Sequence, residues 1–156
     1  MEFERTRDFQ LIKQIATHAR LYPASSDDFA PDPKEWEPVK SEQFWYVIAR
    51  EAGKLLGMFV FVPENPICWR IHVLLLPAAY GPTSNRAGKA ITRWIFENSP
   101  VLRLTGSIPT YNRLALRFAR LSGWHEFGRN AKSYLKKGEL HDQILFGISR
   151  SELTWD

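Results

Sequence analysis

An α/β (α+β) fold is predicted, with a mixed, mostly antiparallel twisted sheet of about six to seven strands flanked by helices, and three observations predict it. Three strand-length apolar runs follow one another across short turns between residues 44 and 76, the pattern of consecutive hairpins. Helical stripes then alternate with a short strand over residues 84–122, and a strand–helix–strand crossover makes its two strands parallel neighbours. The composition supplies a core, since 44% of the 156 residues are hydrophobic and 13% aromatic, far more than a disordered chain carries. One domain over residues 1–150, with a C-terminal tail at 151–156, suits this length.

Each element has a local reason. A first strand ends near Thr6, which is placed to cap a helix with Asp8 in its first turn. Leu11, Ile12, Ile15, Ala16 and Ala19 then recur on one helical face. Residues 24–43 carry six acidic against two basic residues, together with Pro31, Pro33 and Pro38, and read as a long irregular acidic loop. Residues 44–49 are an aromatic and β-branched strand, 51–54 turn it, and 55–62 return. Pro63 and Pro66 bracket the next turn into a third strand at 67–76, which Pro77 ends. A helix over about 84–97 lines up Ala87, Ile91, Trp94 and Ile95, and residues 102–108 form a strand ended by Pro109. The next helix, about 111–122, sets Leu114, Phe118 and Leu121 at i, i+4 and i+7, with Gly123 as its stop. Residues 124–128 and 143–148 are the last strands.

Charge narrows the function. The net +4 hides an acidic loop at 24–43 and a basic stretch at 86–137, where eleven Lys and Arg face two acidic residues. Such polarity suggests two ligands of opposite charge. The single cysteine, Cys68, excludes a disulfide-stapled scaffold and a Cys-rich zinc module. His18, His125 and His141 form no ligand set with it, so no metal is expected. The start Met-Glu-Phe-Glu-Arg lacks the basic and apolar regions of a signal peptide, and the apolar stretch at 71–80 is too short to span a bilayer. A cytoplasmic protein without a membrane partner is expected.

Two passages could carry chemistry. After the strand that ends at Pro77, a loop with Gly81 and Ser84 leads into a helix beginning Asn85-Arg86-Ala87-Gly88-Lys89-Ala90. Unpaired N–H groups at a helix start, beside Arg86 and Lys89, suit a pyrophosphate; an ordinary strand–helix connection with surface basics is the plain alternative. The second passage opens at Asn112, at a strand-to-helix junction, and continues through Ala115 and Phe118 to Gly123-Trp124. Asn112 caps the helix or reaches a ligand, while Arg113, Arg117 and Arg120 fit a solvated face.

These residues, with the order of elements, resemble the GNAT superfamily of acyl-CoA-dependent N-acyltransferases over about residues 3–150. Asn112, Ala115, Phe118, Gly123 and Trp124 follow its Asn-x-x-Ala-x-x-hydrophobic helix and Gly-Phe, with Trp for Phe. Residues 85–90 follow its phosphate loop, with Asn85 where Gln or Arg is usual, and Gly81 is placed to share that role. Lys54-Leu55-Leu56-Gly57 resembles the turn and glycine opening the third strand, and Gly138-Glu139-Leu140-His141-Asp142 is similar to the ribosomal-protein N-acetyltransferase branch.

The resemblance implies a split between the fourth strand (about 67–76) and the fifth (about 102–108). Acetyl-CoA would lie there, its pantetheine amides pairing near Leu74, Leu75 and Leu76 and its pyrophosphate meeting the N–H groups of residues 85–90, with Asn112 close by. A backbone N–H of the fourth strand would polarise the acetyl carbonyl, and the acceptor amine would attack directly in a ternary complex. The family's usual acid, a Tyr seven residues beyond Asn112, is Ala119 here; Tyr111, Ser107 or a water takes its place. His72 is the candidate base, on a strand face with Arg70, Leu74 and Leu76, although a structural histidine has the same pattern. Glu42 and Asp28 are alternative bases, and the acidic loop is expected to recognise a cationic amine.

The implied partners are a small-molecule amine or a protein or peptide amine, and a homodimer is among the assemblies left open. Two other functions stay in view. One is a catalytically inactive GNAT-like protein that binds acyl-CoA or serves a structural or interaction role, which Ala119 and the degenerate phosphate loop favour. The other is a nucleic-acid binder using the basic half, which no recognition motif supports.

Overall fold

The computed structural model describes residues 1–154. The elements run β1 (Glu2–Thr6), α1 (Phe9–Ala16), α2 (Tyr22–Ser25), β2 (Trp45–Glu51), β3 (Lys54–Pro63), β4 (Cys68–Leu75), α3 (Pro82–Asn98), β5 (Arg103–Pro109), α4 (Arg113–Leu121), β6 (His125–Lys136) and β7 (Glu139–Ser149). Short 3₁₀ turns lie at Pro77–Ala79 and Arg150–Glu152. Of the expected C-terminal tail, Leu153 packs on the core, while residues 155–156 lie outside the described residues.

The seven strands form one sheet in the order β1-β2-β3-β4-β5-β7-β6, antiparallel throughout except for the parallel pair β4–β5. One face packs on α3 and α4 through Phe59, Phe61, Ile91, Ile95, Phe96 and Phe146. The other packs on α1 through Ile12, Ile15, Ile48 and Met58. Alternation along β4 divides the strand between these layers. Trp69, Ile71, Val73 and Leu75 join the first, while Leu74 joins the second and Arg70 and His72 are exposed on that side. Trp69 is buried, and Trp45 and Trp94 pack against the same core.

Several boundaries differ from expectation. Asp8, not Thr6, caps α1, its Oδ1 accepting from the Leu11 N–H at 3.1 Å, and the helix stops before Ala19. α3 starts earlier than residue 84, because Gly81 (φ +89°) turns the chain and Pro82 takes the first helical position, where a missing N–H costs nothing. β6 and β7 are far longer than their apolar segments, and a tight turn with Lys137 and Gly138 at positive φ joins them. The α4 stripe is divided: Leu116 and Ala119 are buried, whereas Leu114 and Leu121 are exposed.

Candidate active site

β4 and β5 pair over only three positions, Cys68 with Arg103, Trp69 with Leu104 and Arg70 with Thr105. Beyond them β4 stays with β3 and β5 stays with β7, so the sheet opens into a V. The gap is a cleft of about 410 Å³, with residues 70–75 and 106–109 as its two strand walls.

The phase of the β3–β4 ladder decides what β4 offers to the gap. The Leu76 N–H donates to the Leu56 oxygen at 2.9 Å, and directly opposed antiparallel pairs alternate between bonded and non-bonded. Continuing that alternation through the register, Leu74 and His72 bond to Met58 and Val60. The Ile71 N–H closes the last bond of the β4–β5 ladder, and the Ile71 C=O with the N–H and C=O groups of Val73 and Leu75 point at the gap. Backbone groups in such a place need partners, and an extended ligand carrying amides supplies them. Of the three leucines expected to pair with a ligand, Leu75 turns its polar groups to the gap, and Leu74 and Leu76 turn theirs toward β3.

The expected phosphate donors also move. With α3 beginning at Pro82, the N–H groups of residues 86–90 lie inside the helix and the Asn85 N–H donates to the Gly81 oxygen. Ala87 and Gly88 are buried, Asn85 and Ala90 half-buried, and Lys89 exposed. Arg86 turns to Glu51 at 3.0 Å. Free N–H groups are found one turn earlier, where those of Gly81 and Thr83 have no partner among the described residues. Gly81, Ser84 and Tyr80 line the cleft, so the free N–H groups at the start of α3 border it.

Gly88 has a packing role instead. A Cβ there would collide with the Ser122 hydroxyl and lie 2.9 Å from Phe118 Cζ, so the glycine lets α4 approach α3. The same seam holds a buried chain in which Trp124 Nε1 donates to Thr92 Oγ1 at 2.9 Å and Thr92 donates to the Gly88 oxygen at 2.7 Å. Gly88→Ala is expected to cost about 1–3 kcal/mol by overpacking, and adding Ser122→Gly should recover most of it. Urea unfolding of the four variants of this cycle reads the coupling directly.

His72 faces the cleft from β4. Its ring is exposed by area because one side opens into the gap, yet the surrounding walls shield it from bulk water. That desolvation, and secondarily Arg70, hold its pKa below the ordinary histidine value. It is therefore neutral at neutral pH and able to accept a proton. Asn112 lines the cleft and caps α4, its Oδ1 accepting from the Ala115 N–H at 3.1 Å. Ser107 lines the β5 wall.

Tyr111 is displaced from the cleft lining and packs its ring against His141 at 4.7 Å and Tyr134 at 6.3 Å. Tyr134, beside it, lines the cleft instead. Burial, then the neighbouring Tyr111, raises its pKa, so its hydroxyl keeps its proton and remains a donor. Sequence reading missed it because it lies in the polar outer part of β6. Ala119, at the position of the usual acid, is fully buried in the α4 core face.

The alternative bases are committed elsewhere. Asp28 accepts from the Lys137 and Gly138 N–H groups at 2.7 and 2.8 Å, which ties the acidic loop to the β6–β7 turn and lowers its pKa. Glu42 pairs with Arg7 at 3.1 Å. Neither lines the cleft. Among the described residues no cluster of His, Cys, Asp or Glu could hold a metal ion, and no helix is long and apolar enough to cross a membrane.

No family model matches the chain, and no curated protein matches it significantly. Solved structures do. Spermidine N-acetyltransferase from Vibrio cholerae in complex with CoA and spermine is similar at a TM-score of 0.74 and 13% identity, over 97% of this chain and 96% of that one. Ribosomal-protein-alanine N-acetyltransferase from Brucella melitensis gives 0.67 and 15%, over 96% and 99%. The Salmonella typhimurium protein yncA, solved with its cofactor acetyl-CoA, gives 0.69 and 15%, over 100% and 97%. The seven-stranded order, the parallel β4–β5 pair and the cleft where it parts thus give this chain the fold of the GNAT-family acetyltransferases.

Proposed function

We propose that the chain is an acyl-CoA-dependent N-acyltransferase that moves an acetyl group from acetyl-CoA to an amine. One observation carries the reading: β4 leaves β5 after three residue pairs and turns the Ile71 carbonyl and the backbone of Val73 and Leu75 into the cleft. A pantetheine arm is extended and carries two amides, so it matches such an edge. The free N–H groups of Gly81 and Thr83 lie at the β4 exit, where a pyrophosphate attached to that arm would reach them. The bound thioester supplies an activated acetyl group.

The chain's own residues then handle protons. His72 accepts the proton that the amine loses as the N–C bond forms, and Tyr134 or Ser107 supplies one to the sulfur as the C–S bond breaks. The acceptor enters between α2 and the far strands, where Ser25, Tyr134 and Gln143 line the cleft. The half-buried, unpaired Cys68 fits a reduced cytoplasmic setting.

Calorimetric titration with acetyl-CoA tests the reading. Saturable binding is expected, followed by thiol release when amines are added. Absence of binding at ~1 mM, where even an interaction worth about −4 kcal/mol half-saturates, would remove it. Binding without thiol release across an amine panel would favour the inactive acyl-CoA binder.

A further inference from the structure

The charged side chains lining the cleft among the described residues are Arg20 and Arg70, with the titratable His72 beside them. Among the described residues no Asp or Glu lines it. This reverses the expected role of the acidic loop. Four of its six carboxylates have partners away from the cleft, Asp28 on the β6–β7 turn, Glu37 on Lys13, Glu42 on Arg7 and Asp32 on the Lys34 N–H, and Glu35 is exposed and does not line it. Asp27 lines an adjoining hollow of about 300 Å³, where its Oδ1 accepts from the Phe29 N–H, and it does not reach the cleft lining.

The two guanidiniums have capacity to spare. Arg20 has no carboxylate partner among the described residues, and the segment that carries it, with Leu21 and Ser25, forms the cleft wall on the α1–α2 side. Arg70 spends one Nη2 donor on Glu64 at 3.0 Å, and a guanidinium has five. Arg70 and His72 alternate onto the same side of β4, toward the layer that bears α1. A polycationic acceptor entering here meets like charge. An acceptor with an anionic group supplies the missing partner, and planar bidentate pairing with carboxylate or phosphate is what arginine does best.

We propose that the acceptor is a small amine bearing an anionic group, an amino acid being the simplest, with Arg20 and Arg70 pairing the anion and His72 facing the amino nitrogen. The assignment rests on the acyltransferase reading and gives it a substrate class. The chemistry is unchanged: the amine nitrogen gains the acetyl carbon and loses a proton to His72, and the sulfur gains a proton.

The test compares matched acceptors on the full chain saturated with acetyl-CoA. L-Amino acids are paired with their carboxamides, glucosamine 6-phosphate with glucosamine, and spermidine serves as the polycation. The acids or the phosphate should exceed their neutral partners in kcat/KM by about tenfold or more, the size of one charge-assisted hydrogen bond. The pair that shows the larger ratio tells carboxylate from phosphate. Arg20→Gln should shrink the ratio through a higher KM for the anionic acceptor, with KM for acetyl-CoA unchanged, and Arg20→Lys should restore part of it. As a readout free of turnover, N-acetyl amino acids and their amides are titrated into the protein with CoA, and the acids should bind more tightly. Equal or faster acetylation of the neutral partners or spermidine, equal binding of the two products, or a ratio untouched by Arg20→Gln overturns the inference. The acyltransferase reading fails separately, by the absence of acetyl-CoA binding.

Discussion

His72→Gln should lower kcat for acetyl transfer about 10²- to 10³-fold, within the range that a positioned general base contributes. Affinity for acetyl-CoA should stay close to that of the parent chain, because the backbone of His72 is turned to β3 and the side chain leaves the α3 end of the cleft untouched. Glutamine keeps a polar group in the β4 row and removes only the ability to take up a proton. The pH profile separates this from a packing defect. Desolvation and Arg70 both disfavour the imidazolium, so the folded-state pKa lies below the ordinary 6.5. A base must be neutral to act. Activity should therefore hold through neutral pH and fall as pH drops through that depressed value. In His72→Gln the limb should vanish, leaving only the rise from deprotonation of the acceptor amine in solution. A variant with parental kcat, or one that keeps the same acid limb, would mean the base has been misassigned.

How much of this could be read from the chain depends on burial. The three strands from 44 to 76 are legible because both of their faces pack on helices, and apolar residues dominate them throughout. β6 is an edge strand, and most of its residues from His125 to Ala131 are exposed. Such a strand has no buried face to write an alternating pattern, so the outer half that carries Tyr134 was illegible. The β4 edge shows a second kind of limit. Alternation assigns side chains to faces, and it placed His72 and Arg70 together. Which backbone groups face the gap depends on the hydrogen-bond phase with β3, and no residue identity along β4 records that phase. The α3 start was missed for a smaller reason. Gly81-Pro82 is itself a turn followed by a first helical position, a signal available in the sequence.

Two of the glycines in the family resemblance also divide once their surroundings are known. Gly88 lies in ordinary helix and serves close packing, whereas Gly57 is required by conformation and space together. It has φ +137° and stands opposite Leu75 on β4 and Ala49 on β2, where the β2–β3 register shifts. A Cβ at this point would run into the Leu74 carbonyl oxygen and lie 2.8 Å from Leu75 Cα. Those atoms are backbone and cannot rotate away. Gly57→Ala should therefore combine backbone strain, about 1–3 kcal/mol, with overpacking of about the same size. The total, ~2–6 kcal/mol, is a large part of the 5–15 kcal/mol typical of a folded domain. At roughly 2–4 °C per kcal/mol for a chain of this size, the melting midpoint should fall by about 5–20 °C. Gly53→Ala is the internal control. Gly53 also has positive φ, +76°, but a Cβ there meets nothing within 4 Å, so it should lose only about 1–2 kcal/mol from conformation. The excess in Gly57→Ala measures the pressure of β3 on residues 74–75 of β4. Because Leu75 lies on the β4 edge that lines the cleft, that pressure reaches the site. Acetyl-CoA affinity should drop in Gly57→Ala at temperatures where the variant is still folded, and should not drop in Gly53→Ala. Equal melting points for the two variants would show that β3 does not fix the position of the cleft wall.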